Sequence, residues 1–227
     1  MLIKKGYNYL LRYVEDFFIV PWILMVINTC FFYSNISQFC PPFLGEISLL
    51  LFLVKIVLSF NWSLKEIILN ILLLLIGGIS YFISKEKRIL WLMVVLMASK
   101  DIKVNKMIPI TAITYSFMCL LFIICFVLGL SEQGTNLKGG VSFGLNHPNV
   151  CHNYFLIISS LFTYIYYKKI KTTHLVVMVG LNCLLYCFTL SRSGAITFIV
   201  AYGYLIYVKI CKNPNTIKKT NIIFSTI

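Results

Sequence analysis

The sequence predicts an all-α, polytopic integral membrane protein with about eight transmembrane helices and a glycine-rich outer loop. Three observations carry this. Apolar residues make up 59% of the 227 and charged ones only 12%, against roughly 25% charged residues in a soluble domain. Mean hydropathy is +0.89, and the apolar residues fall into runs approaching the roughly 20 needed to cross a bilayer. The basic residues gather at the ends of those runs, as topology signals do. A net charge of +13 in a soluble protein would point to nucleic acid. Placed as it is here, it points to membrane sidedness, and no nucleic-acid partner is expected.

Taken in order, spans are expected near 17–33, 43–60, 66–83, 89–99, 108–130, 150–167, 174–190 and 195–209. The whole chain, 1–227, reads as one transmembrane domain. The fourth segment, ILWLMVVLMA, is short for a span, and the sidedness of everything after it depends on whether it crosses. Charge decides between the two arrangements. With a cytoplasmic N-terminus and all eight segments crossing, fourteen basic residues lie inside and five outside; if the fourth fails to cross, the count becomes six inside and thirteen outside. The positive-inside rule selects the first. The N-terminus is then cytoplasmic and the 131–149 and 190–194 connectors face outward across the cell membrane.

Five features read as incidental. Lys55 lies within the second span, close enough to its inner end to snorkel, and Glu46 reaches the interface in the same way. The N-terminal basic-then-apolar pattern lacks a small-residue cleavage site and reads as a retained first span. Asn35-Ile36-Ser37 fits a glycosylation sequon, which matters only in a eukaryotic secretory route. The eight cysteines form no CxxC pair, and within spans a thiol behaves as a small hydrophobe. The His147, Cys151, His152 cluster matches no standard zinc spacing, so no metal and no cofactor are expected.

Two polar islands interrupt the apolar pattern. The first is 139–149, GGVSFGLNHPN. Its glycines, Gly144 among them, permit unusual backbone angles and close approach of a ligand. Pro148 suits the first turn of the sixth helix, which places His147 at the helix entrance. A helix N-terminus offers unpaired N–H groups and a positive partial charge, hence an anion site. The same field favours a neutral histidine, the form a general base needs. His147-Pro148-Asn149 reads equally as a capped turn at the membrane interface, with Asn149 bonding local backbone.

The second island, Ser191-Arg192-Ser193-Gly194, splits an apolar stretch too long for one span into two helices of ordinary size. Arg192 presents a rigid fork of donors suited to phosphate. Ser191 and Ser193 can cap the following helix or bind the same oxygens. An arginine snorkelling to lipid headgroups is the other reading.

The SFGLNHPN element at 142–149 resembles the extracytoplasmic motif of Wzy-type polysaccharide polymerases of Gram-positive bacteria, related to the O-antigen polymerase and ligase group. TLSRSG at 189–194 resembles that family's second motif, at about the expected distance downstream, and the hydropathy pattern extends the likeness over the whole chain. The resemblance implies a capsular or exopolysaccharide repeat-unit polymerase. Such an enzyme transfers a growing glycan from undecaprenyl pyrophosphate to the next lipid-linked unit on the outer face of the cytoplasmic membrane. It implies a catalytic base at His147 and a catalytic phosphate contact at Arg192. Lys138, Gly144, Asn146, Asn149, Ser191 and Ser193 would bind substrate, with no metal or nucleotide sugar.

Its partners would be the undecaprenyl-pyrophosphate-linked oligosaccharide, the lipid bilayer, and flippase and chain-length regulator proteins. Two departures from the family pattern stand out. Lys138 occupies a region where family members often carry arginine, and the chain stops at Ile227 although such polymerases usually run to ten or more spans, so it reads as the N-terminal part of a longer polymerase. A reading from another class is a non-enzymatic carrier, or a membrane partner subunit for lipid-linked oligosaccharides. Against a carrier, the span interiors offer little polarity beyond Asn28, Asn70 and Asn182.

Overall fold

The computed structural model describes residues 2–59, 62–131 and 139–211, with the side chains of 2–16 and 210 outside that description. Among the described residues the protein is all-helical. Eight α-helices follow one another: α1 (Leu2–Phe32), α2 (Leu44–Leu58), α3 (Leu64–Ser84), α4 (Lys87–Ala98), α5 (Val104–Val127), α6 (Pro148–Ile165), α7 (Thr172–Thr189) and α8 (Arg192–Cys211). A single 3-10 turn, Ser37–Phe39, lies between α1 and α2. Three helices, α3, α5 and α7, are long and apolar enough to cross a membrane, and Phe17–Phe32 forms a shorter apolar helical stretch. Helix α3 is apolar and mostly exposed around its circumference, as lipid-facing helices are.

The chain divides into two compact units, residues 1–32 with 38–114, and residues 33–37 with 115–227. In the first, α1 packs on α2, α2 on α4 and α4 on α3, around Phe18, Phe52, Val94, Val95, Ala98 and Met107. Gly77 lets α3 and α4 approach closely, since a Cβ there would stand 3.1 Å from the Leu90 backbone. Polar ties lock the interior. Trp22 Nε1 donates to Thr111 Oγ1 (2.8 Å), and Ser48 Oγ donates to the Pro21 carbonyl (2.7 Å). Helix α3 begins on a capping box in which Ser63 and Glu66 satisfy each other's backbone N–H groups.

Lys55 departs from the snorkelling expected of it. Its side chain is fully buried, and Nζ donates to the Lys100 carbonyl just beyond the end of α4 (2.6 Å). A cation at the carbonyl end of a helix is where the helix dipole favours one. Lys100 in turn donates to Glu66 (3.0 Å) and lies over the Trp62 ring.

In the second unit, α6, α7 and α8 pack on one another around Leu175, Phe198 and Tyr202. Phe198 stacks on Tyr202 with ring centroids 4.2 Å apart, and the Tyr202 hydroxyl bonds Thr163 (3.0 Å). At one end Lys209 bonds the Tyr167 and Ile170 carbonyls that follow α6. At the other end lie the two polar islands.

Candidate functional site

The first island folds into a tight, mostly buried loop. Gly144 adopts φ +82°, and a Cβ there would stand 2.6 Å from the Phe122 carbonyl oxygen, so both backbone angle and space require glycine. Phe143, at φ +51°, sits edge-on to Phe126 and Phe188. The Val141 N–H donates to the Phe188 carbonyl at the end of α7 (2.9 Å). Ser142 and Leu145 are buried; Asn146 is exposed.

This loop is tied down by residues 33–35. The Asn35 N–H donates to the Gly144 carbonyl and the Asn146 N–H to the Tyr33 carbonyl, both at 3.0 Å. Ser34 and Leu145 form an antiparallel bridge, and Asn35 Nδ2 donates to the Leu145 carbonyl (3.0 Å). The asparagine of the sequon therefore serves as a clamp.

His147 is the N-cap of α6, followed by Pro148 as expected. Its Nδ1 accepts the Asn149 N–H (3.1 Å), and its carbonyl accepts the Val150 N–H (3.0 Å). With Pro148 lacking an N–H, the first turn of α6 is closed by its own histidine. The neutral tautomer that suits this bond carries its proton on Nε2. His147 thus offers an N–H to a ligand, and its lone pair is engaged at Nδ1.

The second island breaks α7 from α8 where expected. Leu190 turns into the left-handed region at φ +51°, and its N–H closes α7 on the Tyr186 carbonyl (2.8 Å). The Ser191 carbonyl accepts the Ala195 N–H (3.1 Å), opening α8. A serine so placed ordinarily caps its own helix through its hydroxyl. Here the Ser191 hydroxyl, buried, donates its proton to Asn149 Oδ1 (2.6 Å), 42 residues earlier in the chain, and no N–H of the described residues at the start of α8 bonds its oxygen. The hydrogen bonds of the described residues leave the N–H groups of Arg192, Ser193 and Gly194 open at the start of α8. The Arg192 and Ser193 side chains are exposed beside them.

The structure thus joins the two islands at Asn149 and Ser191, with His147 and Arg192 as neighbours of the joined residues. Lys138 lies outside the described residues. Among the described residues, no group of three or more His, Cys, Asp or Glu side chains is placed to hold a metal, and all eight cysteines are free thiols.

Beneath the joined islands lies a polar cluster that the motifs alone do not reveal. His152, buried one turn into α6, meets Asn182 Oδ1 through Nδ1 (3.1 Å) and Thr189 Oγ1 through Nε2 (2.7 Å). Asn182 Nδ2 donates to the Ala195 carbonyl (3.3 Å), which orients its amide and makes Oδ1 the acceptor for a proton on His152 Nδ1. The Ser191 N–H reaches Thr189 Oγ1 (3.5 Å). Gly194 packs directly on the histidine, since a Cβ would stand 2.3 Å from His152 Cβ.

One sequence signal does point to this cluster. Asn182 and Thr189 lie seven residues apart on an apolar helix, hence on one face, and buried polar side chains must find partners. No protein-family model matches the chain, and neither a characterised protein nor a solved structure matches it.

Proposed function

We propose that the chain is a Wzy-type repeat-unit polymerase of the cytoplasmic membrane, acting on undecaprenyl-pyrophosphate-linked oligosaccharide at its outer face. The observation that carries this reading is the Ser191–Asn149 hydrogen bond, which unites two polar motifs that a lone turn or a lone cap would leave apart. Backbone strain supports it as well. Phe143 and Leu190, one in each neighbourhood, both hold left-handed angles, a costly conformation for bulky side chains that concentrates at functional sites.

In the reaction, a hydroxyl at the non-reducing end of the incoming unit attacks the anomeric carbon of the growing chain. The new glycosidic C–O bond forms as the bond to pyrophosphate breaks, the hydroxyl proton leaves to a base, and undecaprenyl pyrophosphate departs. The departing group needs stabilisation of negative charge. The start of α8 offers it, with open N–H groups, the Ser193 hydroxyl and the Arg192 guanidinium together. His147 stands for the attacking hydroxyl. It takes the proton once its Nδ1 releases the Asn149 N–H, and a donor bond from Nε2 holds the sugar beforehand. Asn146 and Asn149, both exposed, are the loop residues left to meet the sugar, while Gly144 is buried and shapes the loop rather than touching substrate.

Eight crossings, with the N-terminus cytoplasmic, form part of this proposal. Two contacts support a crossing by the short α4. Lys87 pairs with Glu46 near the start of α2 (3.9 Å), and Lys100 meets Lys55 in the last turn of α2, so α4 runs the length of its neighbour. The pairing of residues 33–35 with 144–146 is in keeping with an even number of crossings between them, as four crossings by α2 to α5 would give. A flippase and a chain-length regulator are the protein partners that go with this activity.

Complementation of a polymerase-null strain tests it. The wild type is expected to restore long polymer, and His147→Ala and Arg192→Ala to reduce it at least tenfold, consistent with loss of a general base or an electrostatic contact, each worth roughly 10²-fold or more. Full-length polymer from both variants removes the site assignment. A wild type that restores nothing removes the polymerase reading.

A further inference from the structure

We propose that His152 is a positioning residue, fixing the turn that carries Arg192 against the start of α6; this rests on the reading of that turn as the phosphate end of the site. The geometry supports it from both ring nitrogens. Through Nδ1 the ring holds Asn182, which holds the Ala195 carbonyl in the first turn of α8. Through Nε2 it holds Thr189, whose oxygen also meets the Ser191 N–H. One buried side chain on α6 therefore reaches α8 by one route and the α7–α8 turn by another.

The consequence concerns Ser191. With its N–H drawn toward Thr189 and its hydroxyl proton given to Asn149, Ser191 is fixed in place at the head of α8. The turn so held presents the first N–H groups of α8, which no hydrogen bond of the described residues takes up. Gly194 completes the arrangement, since any side chain there would displace the ring on which the turn rests. His152 reaches no surface, so it acts through the groups it holds and not on substrate.

Thr189 gives the gentlest test, because valine matches its shape without the hydroxyl and serine keeps the hydroxyl. Ala195, nearly buried beside this network, is replaced by cysteine in an otherwise cysteine-free full-length chain, and labelling by a membrane-impermeant maleimide is timed in intact cells. Thr189→Val is expected to speed labelling about tenfold, as local opening of a loosened turn would. Thr189→Ser is expected to keep the parent rate, and Gly194→Ala to behave like the valine variant. Parent-like labelling in both Thr189→Val and Gly194→Ala overturns the proposal. Polymer length in the same strains separates the two readings: faster labelling in a chain that makes no polymer even as the parent upholds the positioning role and removes the polymerase.

Discussion

Helices α6 and α8 begin alike in sequence, each at a polar island that leads into a long apolar run, and they end up with opposite properties. The start of α6 is closed: Pro148 has no N–H, and His147 takes the next two through its ring and its carbonyl. The start of α8 is open among the described residues: no bond takes up its first N–H groups, and the serine that precedes it gives its proton to Asn149 on another helix. The difference teaches that a capping residue in the sequence does not by itself say whether a helix end is satisfied. The hydrogen bonds actually made decide, and here they leave open N–H groups at the start of α8 and not at the start of α6.

Substitutions can break this contrast or sharpen it. Gly194→Ala is expected to have the largest effect, since the new Cβ would stand 2.3 Å from His152 Cβ. Overpacking of this kind costs about 3 kcal/mol, read as a lower midpoint in detergent-based unfolding. Next comes Gly144→Ala, which meets the Phe122 carbonyl at 2.6 Å and also demands φ +82° of an alanine. A loss of about 2 kcal/mol is expected, and an unchanged midpoint would show that the loop does not need its left-handed turn.

Ser191→Ala and His147→Ala each remove one hydrogen bond at a helix start and should cost about 1 kcal/mol apiece. They part in their effect on the helices. Backbone exchange should quicken at the first turn of α6 in His147→Ala and stay unchanged there in Ser191→Ala, if the two starts are capped as described. Arg192→Ala comes last. Its side chain is exposed, so stability should hold within about 0.5 kcal/mol while polymer length collapses. A stability loss as large as that of Ser191→Ala would make the arginine part of the scaffold.

The helices were largely legible because apolar runs between basic connectors set their limits. Expected spans and observed helices coincide closely from α2 to α8. Helix α1 differs, beginning at Leu2, because a helix can continue through charged residues such as Lys4 and Lys5 that a hydropathy reading leaves out. The break at Leu190 was legible from the polar tetrapeptide after it. Partners distant in the chain were not. Lys55 looked like a snorkelling lysine, and its carbonyl partner lies 45 residues away. His152 was visible only beside Cys151 as a poor metal motif, while its true partners, Asn182 and Thr189, sit on another helix. Asn35 reads only as part of a sequon, since nothing local announces a strand-like pairing with residues 144–146.

The clamp at Asn35 also bears on how the protein can be produced. In a eukaryotic secretory host, the Asn35-Ile36-Ser37 tripeptide is an acceptor for N-linked sugar. The sugar attaches through Nδ2, the atom that donates to the Leu145 carbonyl. A glycan there would crowd the bond to Leu145 and leave Nδ2 a single N–H, so the loop would be held chiefly by the backbone pairing of residues 33–35 with 144–146. Ser37→Ala removes the acceptor signal at an exposed position and leaves the Asn35 amide intact. It is the substitution that would keep both Nδ2 hydrogens available for that bond in yeast or insect cells.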